Sequence, residues 1–308
     1  MTARKGAQAV EPTHLLGGVP PGGRRARDFL ALTKPRVVLM VLVTASVGFY
    51  LGSSDAPDWF RLLQTLIGTA LATAGTIALN QYFERDVDAR MERTRLRPLP
   101  AGRLRPVEAL AFGAAITLGG LLYLGFLGSP LSALVVATAA GSYLFAYTPM
   151  KRKSPLSIVV GAVPGALPPM VGWAAARNGL GPEAWVLFAI LFLWQIPHAL
   201  AIARLYRDDY ALAGIRFLPV VDPGDRITGC SIVSHCLGLL LVGLLPTLIG
   251  MTGRTYFFAA LALGAWFLAF GIDLAISRSS RAARHLLFAS LAYLPALLAL
   301  MAFDKIPS

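Results

Sequence analysis

The segment NQYFERDVDARMERTRLRPLP, Asn80–Pro100, concentrates charge in a chain that otherwise contains little of it. It holds four acidic residues and five arginines, whereas 14% of the 308 residues are charged and 56% are hydrophobic. The apolar run Leu62–Phe83 leads into the segment and is long enough to cross a bilayer as a helix. We therefore interpret Asn80–Pro100 as the polar end of a membrane-spanning helix and the loop that follows it.

The rest of the chain has the composition of a membrane protein, with a mean hydropathy of +0.63. The run Ala109–Met150 is about twice the length of one span and contains a turn signal at Gly128–Pro130, so we divide it into two helices. The sequence thus predicts an all-α polytopic membrane protein with nine transmembrane helices. The other seven apolar runs are Val37–Ser54, Leu62–Phe83, Ser154–Ala176, Ala184–Ala203, Ile227–Gly253, Thr255–Ile272 and His285–Phe303.

Lysine and arginine are distributed unequally between the two sides of the predicted membrane domain. With the N-terminus in the cytoplasm, 24 of the 28 basic residues fall on the cytoplasmic side. The positive-inside rule therefore predicts a cytoplasmic N-terminus and an external C-terminus. We expect the membrane to be the bacterial cell (inner) membrane. This topology and the attraction of anionic lipids or substrates explain the net charge of +12 without a nucleic-acid partner.

The chain is predicted to form one membrane domain, residues 28–308, behind a disordered basic tail, residues 1–27. The tail contains the segments GGVPPGG and RRAR. Similar turns at Arg97–Pro100 (RPLP) and Arg216–Pro219 (RFLP) suggest that helices 1–4 and 5–8 are two related halves, with helix 9 appended.

Three oxygen-bearing side chains follow a helical spacing at the start of the charged segment. Asn80, Glu84 and Asp88 are four residues apart and fall along one helix face, which we call the oxygen stripe. Mg²⁺ takes such ligands and bridges them to phosphate oxygens, and the arginines that follow, including Arg95 and Arg97, suit the phosphates. The alternative is a solvated loop. The position of Asn80 inside the apolar run favours a site, because a buried amide is costly unless it is used.

A second charged loop, RLYRDDYALAG at Arg204–Gly214, follows the sixth predicted span. Asp208 and Asp209 lie just beyond the helix, and the basic run Lys151–Lys153 lies on the same face of the membrane. Together with the oxygen stripe these groups would form a cavity for a metal-bound diphosphate. The alternative is that the acids and arginines of a solvated loop pair with each other.

His198 in the segment WQIPHALAIA is one of few polar residues within a predicted span. It follows Pro197, which predicts a local break in the helix and an imidazole directed inward. The alternative is a histidine that is hydrogen-bonded in helix packing.

These segments resemble the UbiA-type intramembrane prenyltransferases and, within them, the branch that farnesylates heme. The resemblance extends from about residue 28 to about residue 222. The further segments that carry it are LTKPRVV (Leu32–Val38), YTPMKRKSPLSIVVGAVPGALPPMVGWAA (Tyr147–Ala175), WQIPHALAIA (Trp194–Ala203) and DDYALAGIRFLPVV (Asp208–Val221).

The resemblance implies two four-helix halves plus a ninth helix around a cavity that opens to lipid. It implies transfer of farnesyl from farnesyl diphosphate, bound through Mg²⁺, to the 2-vinyl group of heme B. Addition of water then gives heme O and diphosphate, and a heme A synthase is an expected partner. The matching positions are Asn80, Glu84, Asp88 and Asp209 as metal ligands, Lys151 and Arg152 as diphosphate contacts, and His198 near the heme.

The second loop departs from the family pattern. Many relatives carry two aspartates four residues apart, where this chain has Tyr206 and Tyr210 with Asp208 and Asp209 between them. The number of metal ions is therefore left open. Arg216–Phe217 also replaces a Pro–Met pair.

Aromatic residues near the charged segments are candidates for shielding an allylic cation through cation–π contact, with plain packing as the alternative. Arg36 is a candidate contact for a heme propionate or an interfacial anchor. The aromatic candidates are Tyr82, Phe83, Tyr143, Phe145 and Tyr147.

Two rival functions remain open at this stage. One is transfer to a different acceptor, such as a quinone precursor or a chlorophyllide, on the same scaffold. The other is secondary transport, although transporters place ionisable groups near the bilayer midplane, whereas these acids cluster at one interface.

Overall fold

The computed structural model describes residues 21–54 and 56–306, which form helices without any extended strand. We number the helices α1 to α14 in chain order. They are α1 Pro21–Thr33, α2 Pro35–Gly52, α3 Trp59–Asp88, α4 Pro106–Leu127, α5 Pro130–Met150, α6 Ser157–Ala166, α7 Pro168–Arg177, α8 Pro182–Leu205, α9 Arg207–Leu212, α10 Leu218–Val221, α11 Arg226–Val242, α12 Leu245–Leu248, α13 Arg254–Ser277 and α14 Ser280–Phe303.

Nine segments within the described ranges are long and apolar enough to span a bilayer. Seven of them are single helices, namely α2, α3, α4, α5, α8, α13 and α14. The other two are helix pairs, α6 with α7 and α11 with α12. The prediction of an all-α, multi-pass membrane protein with nine spans is confirmed, while the division into two halves plus one stays a prediction.

The N-terminal helix α1 begins within the segment predicted to be a disordered tail. Residues 21–27 are helical, and residues 1–20 of the predicted tail lie outside the described part of the chain. Gln81 Nε2 donates to the Leu32 carbonyl at 2.5 Å, and Asp28 pairs with Arg103 at 2.9 Å, so α1 is fastened to α3 and to the loop after it. Lys34 then adopts a left-handed backbone (φ 46°) before Pro35 begins α2.

Glycines allow two helix pairs to approach closely. A Cβ atom on Gly75 of α3 would lie 2.5 Å from the Gly113 carbonyl oxygen of α4. A Cβ on Gly172 of α7 would lie 2.6 Å from the Phe49 backbone nitrogen of α2. Close packing through small residues is the usual way in which membrane helices gain van der Waals contact, and it fixes α3 against its neighbours.

Helix α3 continues past its apolar run to Asp88, so the oxygen stripe is helical as predicted. The predicted break at Pro197 is wrong, because α8 runs without interruption from Pro182 to Leu205. Transmembrane helices tolerate proline where neighbouring helices pack around it. The irregularities lie elsewhere, in a π-helical turn at Ser142–Tyr147 within α5 and in the break at Leu167 between α6 and α7.

Candidate active site

A cavity of about 480 Å³ lies between the helices and has one charged end and one largely apolar part. Its volume is within the range of pockets that bind drug-sized or larger ligands. The apolar part is lined by Val37, Val41, Ile77, Val136, Ile158 and Ile202. The charged end is lined by Lys34, Glu84, Asp88, Arg93, Arg97 and Lys151.

Glu84 of the oxygen stripe pairs with Lys151, which follows α5. The ammonium lies 2.8 Å from Glu84 Oε1 and 4.3 Å from the centre of the Tyr147 ring. Burial lowers the pKa of Lys151, but the Glu84 carboxylate, together with Tyr143 and Tyr210, raises it, and the net pKa lies above its ordinary value. Lys151 is therefore a stable positive charge inside the cavity.

Asp88 pairs with Arg97 across the turn that follows α3. Asp88 is 2% exposed, and its Oδ2 lies 2.6 Å from Arg97 Nη1. Thr94 donates its hydroxyl to the Asp88 carbonyl at 2.7 Å, which folds the loop back over the helix end. The loop therefore returns Arg97 to the Asp88 carboxylate at the end of the helix before it.

Asn80 is buried and is held by α5. Its Nδ2 donates to Thr148 Oγ1 at 2.9 Å, and its Oδ1 accepts from the Tyr143 hydroxyl at 3.3 Å. The π-helical turn places Tyr143 and Tyr147 along the cavity wall, where both line it. Such turns occur frequently at functional sites.

Two basic residues at the charged end were missed by the sequence analysis. Lys34 lines the cavity at the junction of α1 and α2, and Arg93 lies near its mouth. Burial, together with repulsion from Arg97 and Lys151, lowers the pKa of Lys34 to about 8. The sequence does contain a signal for Lys34, because it precedes Pro35. The residue before a proline is disfavoured in a helix, so the chain turns between α1 and α2 at this point.

The second loop does not bring its aspartates into the cavity lining. Asp208 is exposed, and Asp209 Oδ1 accepts from the Glu92 backbone N–H at 2.8 Å. The residue of this loop that lines the cavity is Tyr210. Asp209 therefore connects the two charged loops instead of facing the oxygen stripe.

His198 lines the cavity away from the acids, as its predicted inward direction requires. Its Nδ1 lies 2.7 Å from Ser290 Oγ, and its ring stacks on Trp194 at 4.9 Å. The Ser290 hydroxyl is also 2.6 Å from the Leu287 carbonyl and has one proton, which it donates there. In a neutral ring Nδ1 then carries the proton, and Nε2 is left with its lone pair.

Several other predicted site residues lie outside the cavity lining. Arg36 and Arg152 are exposed, and Arg95 is exposed and pairs with Glu92. Among the aromatic candidates, Tyr82 packs against a small hydrophobic cluster that includes Leu32 of α1, and the Arg85 guanidinium lies over its ring. Phe83 and Phe145 are exposed on the outer surface of the bundle. The lining aromatics are thus Tyr143 and Tyr147 together with Tyr210 and Phe217.

The oxygen stripe has the donor chemistry that Mg²⁺ requires. One amide and two carboxylates line the same wall of the cavity, and hard cations prefer such oxygens. Across residues 21–54 and 56–306, no group of three His, Cys, Asp or Glu side chains is close enough to hold a metal alone. A Mg²⁺ ion held by the oxygen stripe would complete its six ligands with oxygens from outside the stripe.

A sequence profile described as the UbiA prenyltransferase family matches residues 41–294, which is most of the chain. The chain belongs to the UbiA prenyltransferase family. Within the family it is 48% identical to a protoheme IX farnesyltransferase from Solibacter usitatus, over 91% of this chain and 99% of that protein. It is 43% identical to the protein of the same name from Koribacter versatilis, over 91% and 93% of the two chains. The predicted family is confirmed.

Solved structures of UbiA-type proteins share the fold. A digeranylgeranylglyceryl phosphate synthase superposes with a TM-score of 0.76 at 15% identity, over 91% of this chain and 98% of the other. A UbiA homologue from Archaeoglobus fulgidus bound to GPP and Mg²⁺ gives 0.62 at 17% identity, over 89% and 99%. At such low identity the likeness establishes the fold of this UbiA family member and nothing finer.

Proposed function

We propose that the chain transfers the farnesyl group of farnesyl diphosphate to the 2-vinyl group of heme B. The observation that carries the proposal is one cavity in which the oxygen stripe faces Arg97 and Lys151 at one end and apolar walls lead to His198. A diphosphate fits the charged end, and a prenyl chain fits the apolar walls. The names of the relatives, which are more than 40% identical over most of both chains, support heme as the acceptor.

Asn80, Glu84 and Asp88 would hold Mg²⁺, which supplies neutralisation of the charge that grows on the departing diphosphate. Lys151 and Arg97 act on the same charge directly, as donors to the phosphate oxygens. Both cations are paired with carboxylates, and these pairs keep them directed at the cavity. Binding would exchange part of each carboxylate contact for phosphate.

The allylic carbon would lie next to Tyr143 and Tyr147, whose rings border the charged end. Aromatic faces stabilise a nearby cation without reacting as a nucleophile at carbon. The apolar walls beyond them limit the access of water to that cation before the vinyl π bond attacks. Water adds afterwards at the vinyl-derived carbon and completes hydroxyethylfarnesyl heme O.

His198 lies on the heme side of this proposal. The Ser290 contact orients the imidazole and leaves Nε2 as an acceptor in the cavity. Nε2 suits either the heme iron or the proton of the added water. The product would pass to an enzyme of the heme A and cytochrome oxidase pathway, with a heme A synthase as partner.

The orientation of the chain follows the basic residues, with the N-terminus in the cytoplasm of a bacterium and the C-terminus outside its inner membrane. The charged end of the cavity, near Lys34 and Lys151, then faces the cytoplasm, where a soluble anionic headgroup would enter.

The test is to incubate purified protein with heme B, farnesyl diphosphate and Mg²⁺ and to measure heme O by liquid chromatography with mass spectrometry. Asp88→Asn is expected to lower heme O formation by at least about 100-fold, because removal of one electrostatic contributor typically costs that much. Asp86→Asn is the matched control, since its side chain is 79% exposed and two residues away.

Magnesium-dependent heme O formation that is lost in Asp88→Asn and kept in Asp86→Asn supports the proposal. Diphosphate release with a quinone precursor, but no heme O, would refute heme as acceptor while leaving prenyl transfer. No diphosphate release with any acceptor would refute prenyl transfer itself.

A further inference from the structure

Arg93 is held in place by the second loop, although it belongs to the first. Its guanidinium lies 4.9 Å from the centre of the Tyr206 ring and 5.7 Å from that of Tyr210. Nη2 also donates to the Tyr210 hydroxyl at 3.1 Å. These two tyrosines, which we call the tyrosine shelf, support the arginine at the mouth of the cavity, whose lining includes both Arg93 and Tyr210.

At the mouth of the cavity, the tyrosine shelf supplies phenol rings instead of carboxylates. Phenols remain neutral near pH 7 and are poor partners for Mg²⁺ compared with carboxylates. The two nearby acids do not replace them, because Asp208 is exposed and Asp209 accepts from the Glu92 backbone. Over the described residues, Glu84 and Asp88 are the two carboxylates in the cavity lining.

The net charge of the cavity lining also disfavours a second metal ion. The two carboxylates face four basic side chains in the lining, those of Lys34, Arg93, Arg97 and Lys151. With one Mg²⁺ added, the fixed charges exceed the negative charge that a prenyl diphosphate brings. A second divalent ion would enter a region that already has a cationic excess and offers it no further carboxylate, which Coulomb repulsion in a partly buried site disfavours.

We propose that this chain binds prenyl diphosphate with a single Mg²⁺ and that Arg93, supported by the tyrosine shelf, takes the place of the second cation. The guanidinium matches phosphate geometry bidentately and is always charged, so it neutralises the diphosphate without a metal. The inference rests on the proposed function, whose prenyl-transfer step supplies the diphosphate.

Contacts between the two charged loops also hold Arg93 in position. Asp209 fixes the backbone one residue before Arg93, and the Arg216 N–H donates to the Lys151 carbonyl at 2.8 Å. Tyr210 packs edge-on against Phe217 at 4.9 Å, so the shelf itself is held from behind. Tyr206, Tyr210 and Asp209 are therefore positioning residues that act through Arg93.

The first experiment counts metal ions. The intact protein in detergent is titrated with Mn²⁺ in the presence of a slowly reacting thiolo analogue of farnesyl diphosphate, and bound Mn²⁺ is measured by electron paramagnetic resonance. One tight Mn²⁺ per chain and no dipolar coupling between ions is the expected result. Two coupled ions per chain would overturn the proposal.

The second experiment measures the affinity for the same analogue by calorimetry. Arg93→Gln is expected to weaken binding about 10- to 100-fold, the range for hydrogen bonds to charged groups, and Arg93→Lys to weaken it less. The control is Arg90→Gln, an exposed arginine of the same loop that does not line the cavity. An unchanged affinity in Arg93→Gln would refute the assignment.

The shelf is tested by comparing two changes at one position. Tyr206→Phe keeps the ring and is expected to keep affinity, whereas Tyr206→Leu removes it and is expected to weaken binding several-fold. The effect of Tyr206→Leu should vanish in the Arg93→Gln background, because the ring acts through the guanidinium. An equal loss in both backgrounds would show that Tyr206 acts independently of Arg93.

Failure of this inference is distinguishable from failure of the proposed function. If the unmodified protein binds no analogue at all, the prenyl-transfer proposal is refuted. If it binds the analogue with two metal ions, or if Arg93→Gln binds the analogue equally well, the single-metal proposal is refuted. The prenyl-transfer proposal is not affected by either result.

Discussion

Two ion pairs at the cavity and a third pair elsewhere in the molecule differ in the space that lies beside them. Glu84–Lys151 and Asp88–Arg97 border a cavity of about 480 Å³. The third pair, Arg204 with Asp225 at 2.7 Å, borders a space of about 10 Å³, too small for a ligand. A buried ion pair next to open space can exchange a partner for a ligand, whereas an enclosed pair can only hold helices together.

The enclosed pair, which we call the brace, joins three helices. Arg204 lies in the last turn of α8, and Asp225 immediately precedes α11 in a left-handed conformation (φ 52°). Arg204 Nη2 also donates to the Arg278 carbonyl at the end of α13, at 2.9 Å. The comparison therefore separates a site, in which charges should control activity, from a brace, in which they should control stability.

The largest expected effect is at the site. Glu84→Gln keeps the shape of the side chain but removes one negative charge from the proposed metal ligands and from the partner of Lys151. We expect product formation to fall about 100- to 1000-fold, with little change in melting temperature, because Lys151 stays next to a space that water can enter. Product formation and thermal unfolding in detergent are the two measurements.

The control for Glu84→Gln is Glu92→Gln, on the loop that follows α3. Its side chain is 76% exposed and pairs with Arg95, so neither measurement should change. If Glu84→Gln lowered the melting temperature strongly and left the turnover of the folded protein intact, the pair with Lys151 would be a brace, and the distinction would fail.

The second-largest effect is expected at the brace, where stability should change and turnover should not. Asp225→Asn leaves Arg204 without its buried counter-charge, and we expect the free energy of unfolding to fall by about 2 kcal/mol, since Arg204 keeps some contact with solvent. Turnover per folded molecule should stay within about twofold of the unmodified protein, because the brace does not line the cavity.

Two further variants sharpen this measurement. Asp273→Asn removes an exposed acid from α13 and should change stability little. Replacement of Arg204 and Asp225 together by leucine should recover much of the stability lost in Asp225→Asn, since a buried pair can be exchanged for apolar packing. A large loss of turnover in Asp225→Asn at unchanged stability would place the brace in the active site.

The fold was predictable because a bilayer imposes length and hydrophobicity directly on each span. The eight apolar runs, with Ala109–Met150 divided in two, match the nine spans of the described residues, and the turn signal at Gly128–Pro130 marks the boundary between α4 and α5. The helix irregularities were less predictable. Pro197 does not interrupt α8, while the π-helical turn of α5 has no proline inside it and depends on packing that a local pattern does not contain.

The site was predictable where spacing along one helix decides it and unpredictable where tertiary contacts do. The oxygen stripe lines the cavity because a four-residue spacing keeps Asn80, Glu84 and Asp88 on one face. Asp209 was grouped with them from its place at a helix end, but the fold engages its carboxylate with a backbone N–H. No sequence spacing distinguishes Arg93, which lines the cavity, from Arg95, which does not.

The smallest expected effect concerns Lys34, a site residue whose charge changes within a usable pH range. Its pKa is lowered to about 8 by burial and by Arg97 and Lys151, so the side chain loses its proton as pH rises through 8. Binding of a farnesyl diphosphate analogue should then weaken about fivefold between pH 7 and pH 9, the loss of roughly one charge-assisted contact. Lys34→Arg should bind well at both pH values.

Protein stability should respond to the same titration in the opposite direction. Between pH 8 and the ordinary lysine value of 10.5, the unfolded chain holds the proton of Lys34 more tightly than the folded chain does. The contribution of Lys34 to stability therefore increases with pH in that window, because protons are released on folding. Weaker binding alongside unchanged or higher stability would assign the pH effect to the site, whereas parallel losses of both would assign it to unfolding.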